Sequence, residues 1–181
     1  INNALEMAAR ELTGKQPSPT AGAIDSQSVK TTESGGIRGF DAGKKINGRK
    51  RHIVVDTLGL MVGLVIHSAG IQDRDGAPDV LKTILKRWPW LRHIFADGGY
   101  AGPKLKGRLE KVGKFTLEIV KRSDHAAGFK LLPRRWVVER TFAWLGRCRR
   151  LAKDFEKTIV SAEAWVYIAN IRLLTRRVAR A

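Results

Sequence analysis

The sequence predicts an α/β fold in which helices flank a mixed β-sheet. Two β-rich segments in the first half of the chain are separated by a short Leu-Gly turn, as in a hairpin. Beyond them, β-rich segments alternate with segments of helical periodicity, as in sheets that carry helices on their faces. The hydrophobic content of 43% over 181 residues is sufficient for one domain with a complete core.

The N-terminal residues are expected to lie outside that domain. A short helix is predicted over Asn3–Leu12, and a linker over Thr13–Thr20, which contains one glycine and two prolines. We therefore expect residues 1–20 to be a linker and the end of an N-terminal region that this chain otherwise lacks. Residues 21–181 are expected to form the domain itself.

The domain is expected to begin with a strand over the apolar run Ala21–Gln27. Thr31–Gly48 is rich in glycine and bases, has little periodicity, and predicts a long mobile loop. The remaining expected elements, in chain order, are a hairpin of Arg51–Thr57 and Leu60–Ser68, a helix N-capped by Asp75 and ending near Arg87, a strand over Leu91–Ala96, a helix from Pro103 to Val112 closed by Gly113, a strand over Phe115–Val120, a helix from Pro133 to about Leu151, and a helix over Ser161–Val178.

The charge of the chain points to a polyanionic partner. Lys and Arg total 34 against 17 Asp and Glu, which gives a formal net charge of +17. The single cysteine, Cys148, excludes an internal disulfide and a Cys-rich zinc site. No apolar run is long enough to span a bilayer and no signal peptide is visible, so no membrane partner and a cytoplasmic location are expected.

Three acidic residues are candidates for a metal-dependent site. Asp25 lies in one apolar run, Asp97 ends another, and Glu139 lies in a helical stretch. Converging carboxylates repel one another unless a cation lies between them, and oxygen-rich sites suit Mg²⁺ or Mn²⁺. Beside so basic a chain, they suggest phosphodiester chemistry on nucleic acid. Spacing alone leaves the alternative open that the aspartates are turn residues and the glutamate is a solvated helix residue.

Two groups of basic residues are candidates for phosphate contacts. The first combines bases with glycines, which let a backbone approach phosphates closely, and its alternative is a solvated loop. The second surrounds Glu139, and Arg135, four residues before that glutamate, is equally compatible with a salt bridge within the helix. The candidates are Arg38, Lys44, Lys45, Arg49, Lys50 and Arg51 in the first group, and Arg135, Arg140, Arg147, Arg149 and Arg150 in the second.

Several ordered motifs resemble one known family. The stretches that carry the resemblance are Ala23-Ile24-Asp25-Ser26-Gln27-Ser28-Val29-Lys30, Arg38-Gly39-Phe40-Asp41-Ala42-Gly43-Lys44-Lys45, Gly48-Arg49-Lys50-Arg51-His52, Val55-Asp56-Thr57-Leu58-Gly59-Leu60, Ala96-Asp97-Gly98-Gly99-Tyr100 and Leu132-Pro133-Arg134-Arg135-Trp136-Val137-Val138-Glu139-Arg140-Thr141. From about residue 20 onward, the chain resembles the DDE transposases of bacterial insertion sequences, family five, which have a ribonuclease-H-like fold.

The resemblance implies a catalytic triad of Asp25, Asp97 and Glu139 that holds Mg²⁺, for which Mn²⁺ would substitute. It implies cleavage of element ends and strand transfer into target DNA by a protein associated with the bacterial nucleoid. The implied partners are double-stranded DNA and a second copy of the chain, as a homodimer assembled on DNA.

The chain departs from the family in part of its signature around the last acid. Arg135 matches the signature arginine, but Leu132 stands where the family has tyrosine. The seventh residue after Glu139 is Gly146, with Arg147 next, so the terminal lysine is matched only loosely. Two alternatives remain open: a nuclease of the same fold that does not transpose, including a domesticated relative, and a DNA-binding module that has lost catalysis.

Overall fold

The computed structural model describes residues 1–33, 35–120 and 135–180. They form a six-stranded mixed sheet with helices on both faces, as the sequence predicts. The strands are β1 (Ala21–Lys30), β2 (Gly39–Asp41), β3 (Ile46–Asp56), β4 (Met61–Ser68), β5 (His93–Ala96) and β6 (Thr116–Ile119). The helices are α1 (Asn2–Glu11), α2 (Asp73–Leu85), α3 (Pro103–Val112), α4 (Trp136–Gly146) and α5 (Ile159–Val178), with 3₁₀ turns at Gly98–Tyr100 and Arg149–Leu151.

Strand β1 lies between an antiparallel and a parallel half of the sheet. On one side it pairs antiparallel with β3, whose other edge pairs with β4 and, near its start, with β2. On the other side β1 pairs parallel with β5, and β5 pairs parallel with β6. The predicted hairpin is therefore confirmed as β3 and β4, joined at the left-handed Gly59 (φ 80°).

Alternate residues of the central strands face two separate apolar layers. Ala23 of β1 belongs to the layer under α4 and α5, whereas its neighbour Ile24 belongs to the layer under α2 and α3. Both layers include side chains with no solvent exposure, such as Val138 of α4 and Val80 of α2. This two-sided burial holds β1 rigidly in the middle of the domain.

Three sequence-based expectations about elements need correction. The expected loop over Thr31–Gly48 contains β2 and the beginning of β3, because β2 pairs along the first residues of that strand. Asp75 is not an N-cap: Gln72 precedes the helix, and Asp75 contacts Lys104 and Arg108 of α3. The helix expected through Leu151 ends at Gly146 and is followed by a 3₁₀ turn; its expected start at Pro133 lies outside the described residues.

The N-terminal helix contacts the rest of the fold. Ala9 of α1 packs with Leu60 and Leu174, and Arg10 forms a buried ion pair with Asp56. That aspartate also accepts hydrogen bonds from the backbone amides of Leu58 and Leu60, which fixes the β3–β4 turn. The division at residue 20 remains a prediction. None of the helices in the described part of the chain is long and apolar enough to cross a membrane.

Candidate active site

Asp25 and Asp97 lie beside each other on neighbouring parallel strands. The register of β1 and β5 pairs Ala23 with Phe95. Continued by two residues, the same register places Asp25 next to Asp97, just past the end of β5. Because aligned residues of parallel strands direct their side chains to the same face, the two carboxylates are neighbours.

The carboxylate of Asp25 is half-buried and incompletely neutralised. Burial, and to a smaller extent the negative charge of Asp97, raise its pKa to about 6. The backbone amide of Ser26, which donates to Oδ1 at 2.7 Å, and the cations of Arg135 and Lys44 oppose that rise in pKa. Asp25 is therefore a carboxylate whose ionised form would gain from another cation nearby.

Asp97 is held by the turn that follows β5. It caps the 3₁₀ turn Gly98–Tyr100, and its Oδ1 accepts a hydrogen bond of 2.7 Å from the amide of Gly99. Its second oxygen, Oδ2, lies 3.5 Å from Nη2 of Arg135. The glycines after Asp97 thus fix one oxygen of the carboxylate and leave the other for a cation.

Arg135 links the third acid to the first two. Its Nη2 atom lies 3.1 Å from Oε1 of Glu139, four residues along the chain, and 3.5 Å from Asp97. The sequence left open whether Arg135 contacts a phosphate or orients a carboxylate, and in the structure its guanidinium contacts two carboxylates. The Glu139 side chain is 54% exposed, so it is the acid of the three that solvent reaches most easily.

The acids have the right chemistry for a divalent cation, but they are not gathered around one point. Carboxylate oxygens are the ligands that Mg²⁺ and Mn²⁺ prefer. Within the described ranges, no group of three or more His, Cys, Asp or Glu side chains lies close enough to hold a metal ion. Asp25 and Asp97 form a neighbouring pair, and Glu139 joins them through Arg135. The donor types fit such an ion, and Glu139 would have to turn toward the pair to complete the set.

Three of the bases expected to contact phosphates are buried in the fold, so the expectation is wrong for them. Arg49, Lys50 and Arg51 lie on β3 and are at most 4% exposed. Arg49 is paired with Asp154, and Nζ of Lys50 lies 2.7 Å from Asp73. Nη1 of Arg51 donates to the carbonyl of Leu151 at 2.7 Å. These cations hold elements together because they belong to a central strand and have carboxylates or carbonyls within reach.

The other bases of the first group are exposed on the β2–β3 hairpin. Arg38, Lys44 and Lys45 are all exposed. The Nζ atom of Lys44 also donates to the carbonyl of Ser26 at 3.0 Å, directly after Asp25. The hairpin therefore reaches the edge of the acidic pair, which sequence reasoning missed because the contact depends on how the hairpin folds.

The bases beyond Glu139 differ in how much of their charge is already engaged. Arg147 and Arg149 are exposed, and neither forms an ion pair with any described residue. Arg150 pairs with Glu156 and stacks on Phe155 and Trp165. Arg140 lies between the rings of Trp136 and Trp144, at 4.2 Å and 4.5 Å from their centroids. Their role in DNA binding remains a prediction.

A buried polar chain lies behind the acids, on the opposite face of β1. The Tyr100 hydroxyl is 2.7 Å from Nε2 of His52, whose Nδ1 is 3.5 Å from Nε2 of His67. Burial lowers the pKa of His52 to about 3, with His67 adding to the effect, so His52 is neutral. The sequence spacing of these histidines does not indicate the contact. Their placement on the two arms of the predicted hairpin was the available signal.

Comparison with known proteins identifies the family of this chain. A family model described as "Transposase DDE domain" matches residues 16–174. A Burkholderia cepacia protein named "Putative transposase for insertion sequence element IS402" is 32% identical over 117 residues, which are 61% of this chain and 54% of that protein.

A solved structure shows the same fold at low sequence identity. It is a chain of the simian T-cell lymphotropic virus intasome in complex with PP2A regulatory subunit B56 gamma, with a TM-score of 0.53 and 13% identity. The match covers 84% of this chain and 48% of that one, so this chain spans about half the length of either protein. The mixed sheet with flanking helices is ribonuclease-H-like. Because the family match covers most of its length, the chain belongs to the transposase DDE domain family.

Proposed function

We propose that this chain is the catalytic domain of an insertion-sequence transposase that cuts DNA at the element's ends and joins them to target DNA. The observation that carries the proposal is the pairing of Asp25 with Asp97, with Glu139 tied to Asp97 through Arg135. All three acids lie within the segment that matches the family. The proposed partners are double-stranded DNA and a second copy of the chain on that DNA, in the cytoplasm at the nucleoid.

Asp25, Asp97 and Glu139 would hold Mg²⁺, or Mn²⁺ in its place. The ion would supply positive charge to the attacking and leaving oxygens of the phosphodiester. Asp25 supports this role because burial and the charge of Asp97 both disfavour its ionised form. A cation bound between the two carboxylates would therefore stabilise them strongly. Arg135 keeps Glu139 directed toward Asp97, and exposure leaves Glu139 free to turn toward the substrate.

The proposal is tested by cleavage and strand transfer on DNA that carries the native element ends. Asp25→Asn, Asp97→Asn and Glu139→Gln keep the side-chain shape but remove a charged ligand. Each should lower Mg²⁺-dependent cleavage by about 10³-fold, since a lost metal interaction is worth several kcal/mol. Metal-free DNA binding should persist in all three variants.

Asp79→Asn is the matched control, because Asp79 is an exposed acid of α2 paired only with Lys82 among the described residues. It should cleave like the unmodified chain. Cleavage by any triad variant within tenfold of that level would remove the residue from the site. Cleavage without strand transfer would favour a nuclease, and binding without cleavage would favour an inactive DNA-binding module.

A further inference from the structure

A cavity of about 700 Å³ lies between α4, α5 and the β3–β4 turn. Gly59 and Leu60 of the turn and Trp144 of α4 are among its lining residues. Its most distinctive lining residues are five arginines: Arg140, Arg147, Arg176, Arg177 and Arg180. This cluster, the arginine cavity, contains three residues of α5 and its end that the sequence did not single out.

The arginine cavity has cations but no acidic lining residue in the described part of the chain. Arg140 donates from Nη2 to the carbonyl of Leu58 at 2.8 Å and lies over the rings of Trp136 and Trp144, but it forms no ion pair with a described residue. Its Nε is buried and has no hydrogen-bond partner among the described residues. Burial, and then the nearby charge of Arg177, lowers the pKa of Arg140. Like charges crowded in this way favour an anion between them.

A simpler explanation accounts for only part of the cluster. Arg176 and Arg177 lie in the last turn of α5, and Arg147 follows α4, where cations complement the helix dipole. Helix-end stabilisation does not require two helices to direct their cations into one cavity. Nor does it explain why Arg140, an interior residue of α4, contributes to the same lining.

We propose that the arginine cavity binds phosphates of a DNA backbone. Guanidinium groups match phosphate oxygens in geometry and charge, and several of them can engage consecutive phosphates of one strand. Glu139 and Arg140 are consecutive residues of α4, so the third acid and the cavity belong to the same helix. The inference rests on the proposed function, because it assigns a second contact to the same DNA.

The test is the salt dependence of duplex DNA binding in EDTA, where no cleavage occurs. Arg176→Gln with Arg177→Gln should flatten the slope of log affinity against log salt by about 1.8, since each phosphate contact contributes about 0.9. Arg176→Lys with Arg177→Lys should keep most of the slope. The control is Arg172→Gln, an exposed arginine of α5 that does not line the cavity, and it should leave the slope unchanged. Thermal unfolding of each variant confirms that it is folded.

An unchanged slope in the folded double glutamine variant would overturn the inference. The inference would also be overturned if Arg172→Gln flattened the slope as much as each arginine removed in the double variant. Titration with inorganic phosphate alone separates a small-anion site from a DNA site. If the double variant loses phosphate binding but keeps the DNA slope, the DNA assignment is wrong. If the slope flattens in the double glutamine variant but the unmodified chain never cleaves DNA, the cavity assignment is supported and the proposed catalysis is refuted.

Discussion

Arginine residues have opposite roles in strand β3 and in the arginine cavity. Arg49 of β3 is fully buried and donates hydrogen bonds to Asp154 and to four backbone carbonyls, including those of Ile37 and Lys157. In the cavity, Arg140 has one carbonyl partner, and Arg176 is exposed. The N–H donors of Arg49 are engaged by acceptors of its own chain, whereas the cavity arginines retain N–H donors that are free to bind an anion.

Net charge alone therefore does not locate a binding surface. A base on a strand paired on both edges is carried into the interior, where it must find carboxylates or carbonyls. By contrast, Arg147 and Arg176, near the ends of α4 and α5, stay exposed and remain available to an anion. The predictions below test this division, beginning with the largest expected change.

The buried partners of Arg49 should matter most for stability. Arg49→Gln leaves Asp154 as a buried, unpaired carboxylate, so unfolding free energy should fall by about 3–5 kcal/mol. Arg147→Gln, on the exposed surface, should change it by less than about 0.5 kcal/mol. Denaturant unfolding measures both. A similarly small loss of unfolding free energy in both variants would contradict the distinction between buried and exposed arginines. Recovery of the unfolding free energy in the double variant Arg49→Met with Asp154→Leu would confirm that the unpaired acid is the cause.

A buried acid on α1 should make stability depend on pH. Glu6 is fully buried, and burial, with a smaller contribution from Asp56, raises its pKa from 4.5 to about 8. Below pH 4.5 the acid is protonated in both states. Between 4.5 and 8 only the unfolded chain releases the proton, so its contribution to stability is lost as pH rises, by at most about 1.4 kcal/mol per unit.

Glu6→Gln removes this titration, so its unfolding free energy relative to the unmodified chain should increase from pH 5 to pH 8. Glu11→Gln, which removes an exposed charge from the next turn of the same region, is the control and should show no such trend. Parallel curves for Glu6→Gln and the unmodified chain, from thermal unfolding across that range, would mean that Glu6 ionises freely in the folded state.

The smallest expected change concerns one exposed lysine of the β2–β3 hairpin. Lys45→Gln should flatten the salt slope of DNA binding by about 0.9, the contribution of one phosphate contact. Lys82→Gln, an exposed lysine on α2, should leave the slope unchanged. Equal slopes for Lys45→Gln and the unmodified chain would show that the hairpin does not contact the backbone. Arg49 and Lys50, expected from sequence to act with Lys45, are now excluded from this test by their burial.

Much of the fold follows from local sequence signals. Pro103 and Gly113 bound α3 as predicted, because proline suits the first helical turn and glycine the position after the last. The short hairpin was found from its Leu-Gly turn. By contrast, β2 was missed because three residues carry too little periodicity to distinguish a strand from a loop.

The geometry of the site was only partly accessible from sequence. The three acids and the motifs around them are local, so the sequence could offer them as candidates. The contact of Arg135 with Asp97 and that of Lys44 with the Ser26 carbonyl join residues that are far apart in the chain. Such contacts depend on strand register and helix placement, which one sequence does not specify. The same holds for the burial of Arg49, since Asp154 is 105 residues away.

The shared guanidinium of Arg135 gives the acidic site an internal counter-ion. Because one Nη2 atom serves both Asp97 and Glu139, these acids are kept near each other before any metal arrives. A dication bound there would meet carboxylates that are already partly neutralised and would have to displace Arg135 from Glu139. Metal loading at these acids would then be an exchange of one cation for another, with a lower sensitivity to ionic strength than three free carboxylates would produce.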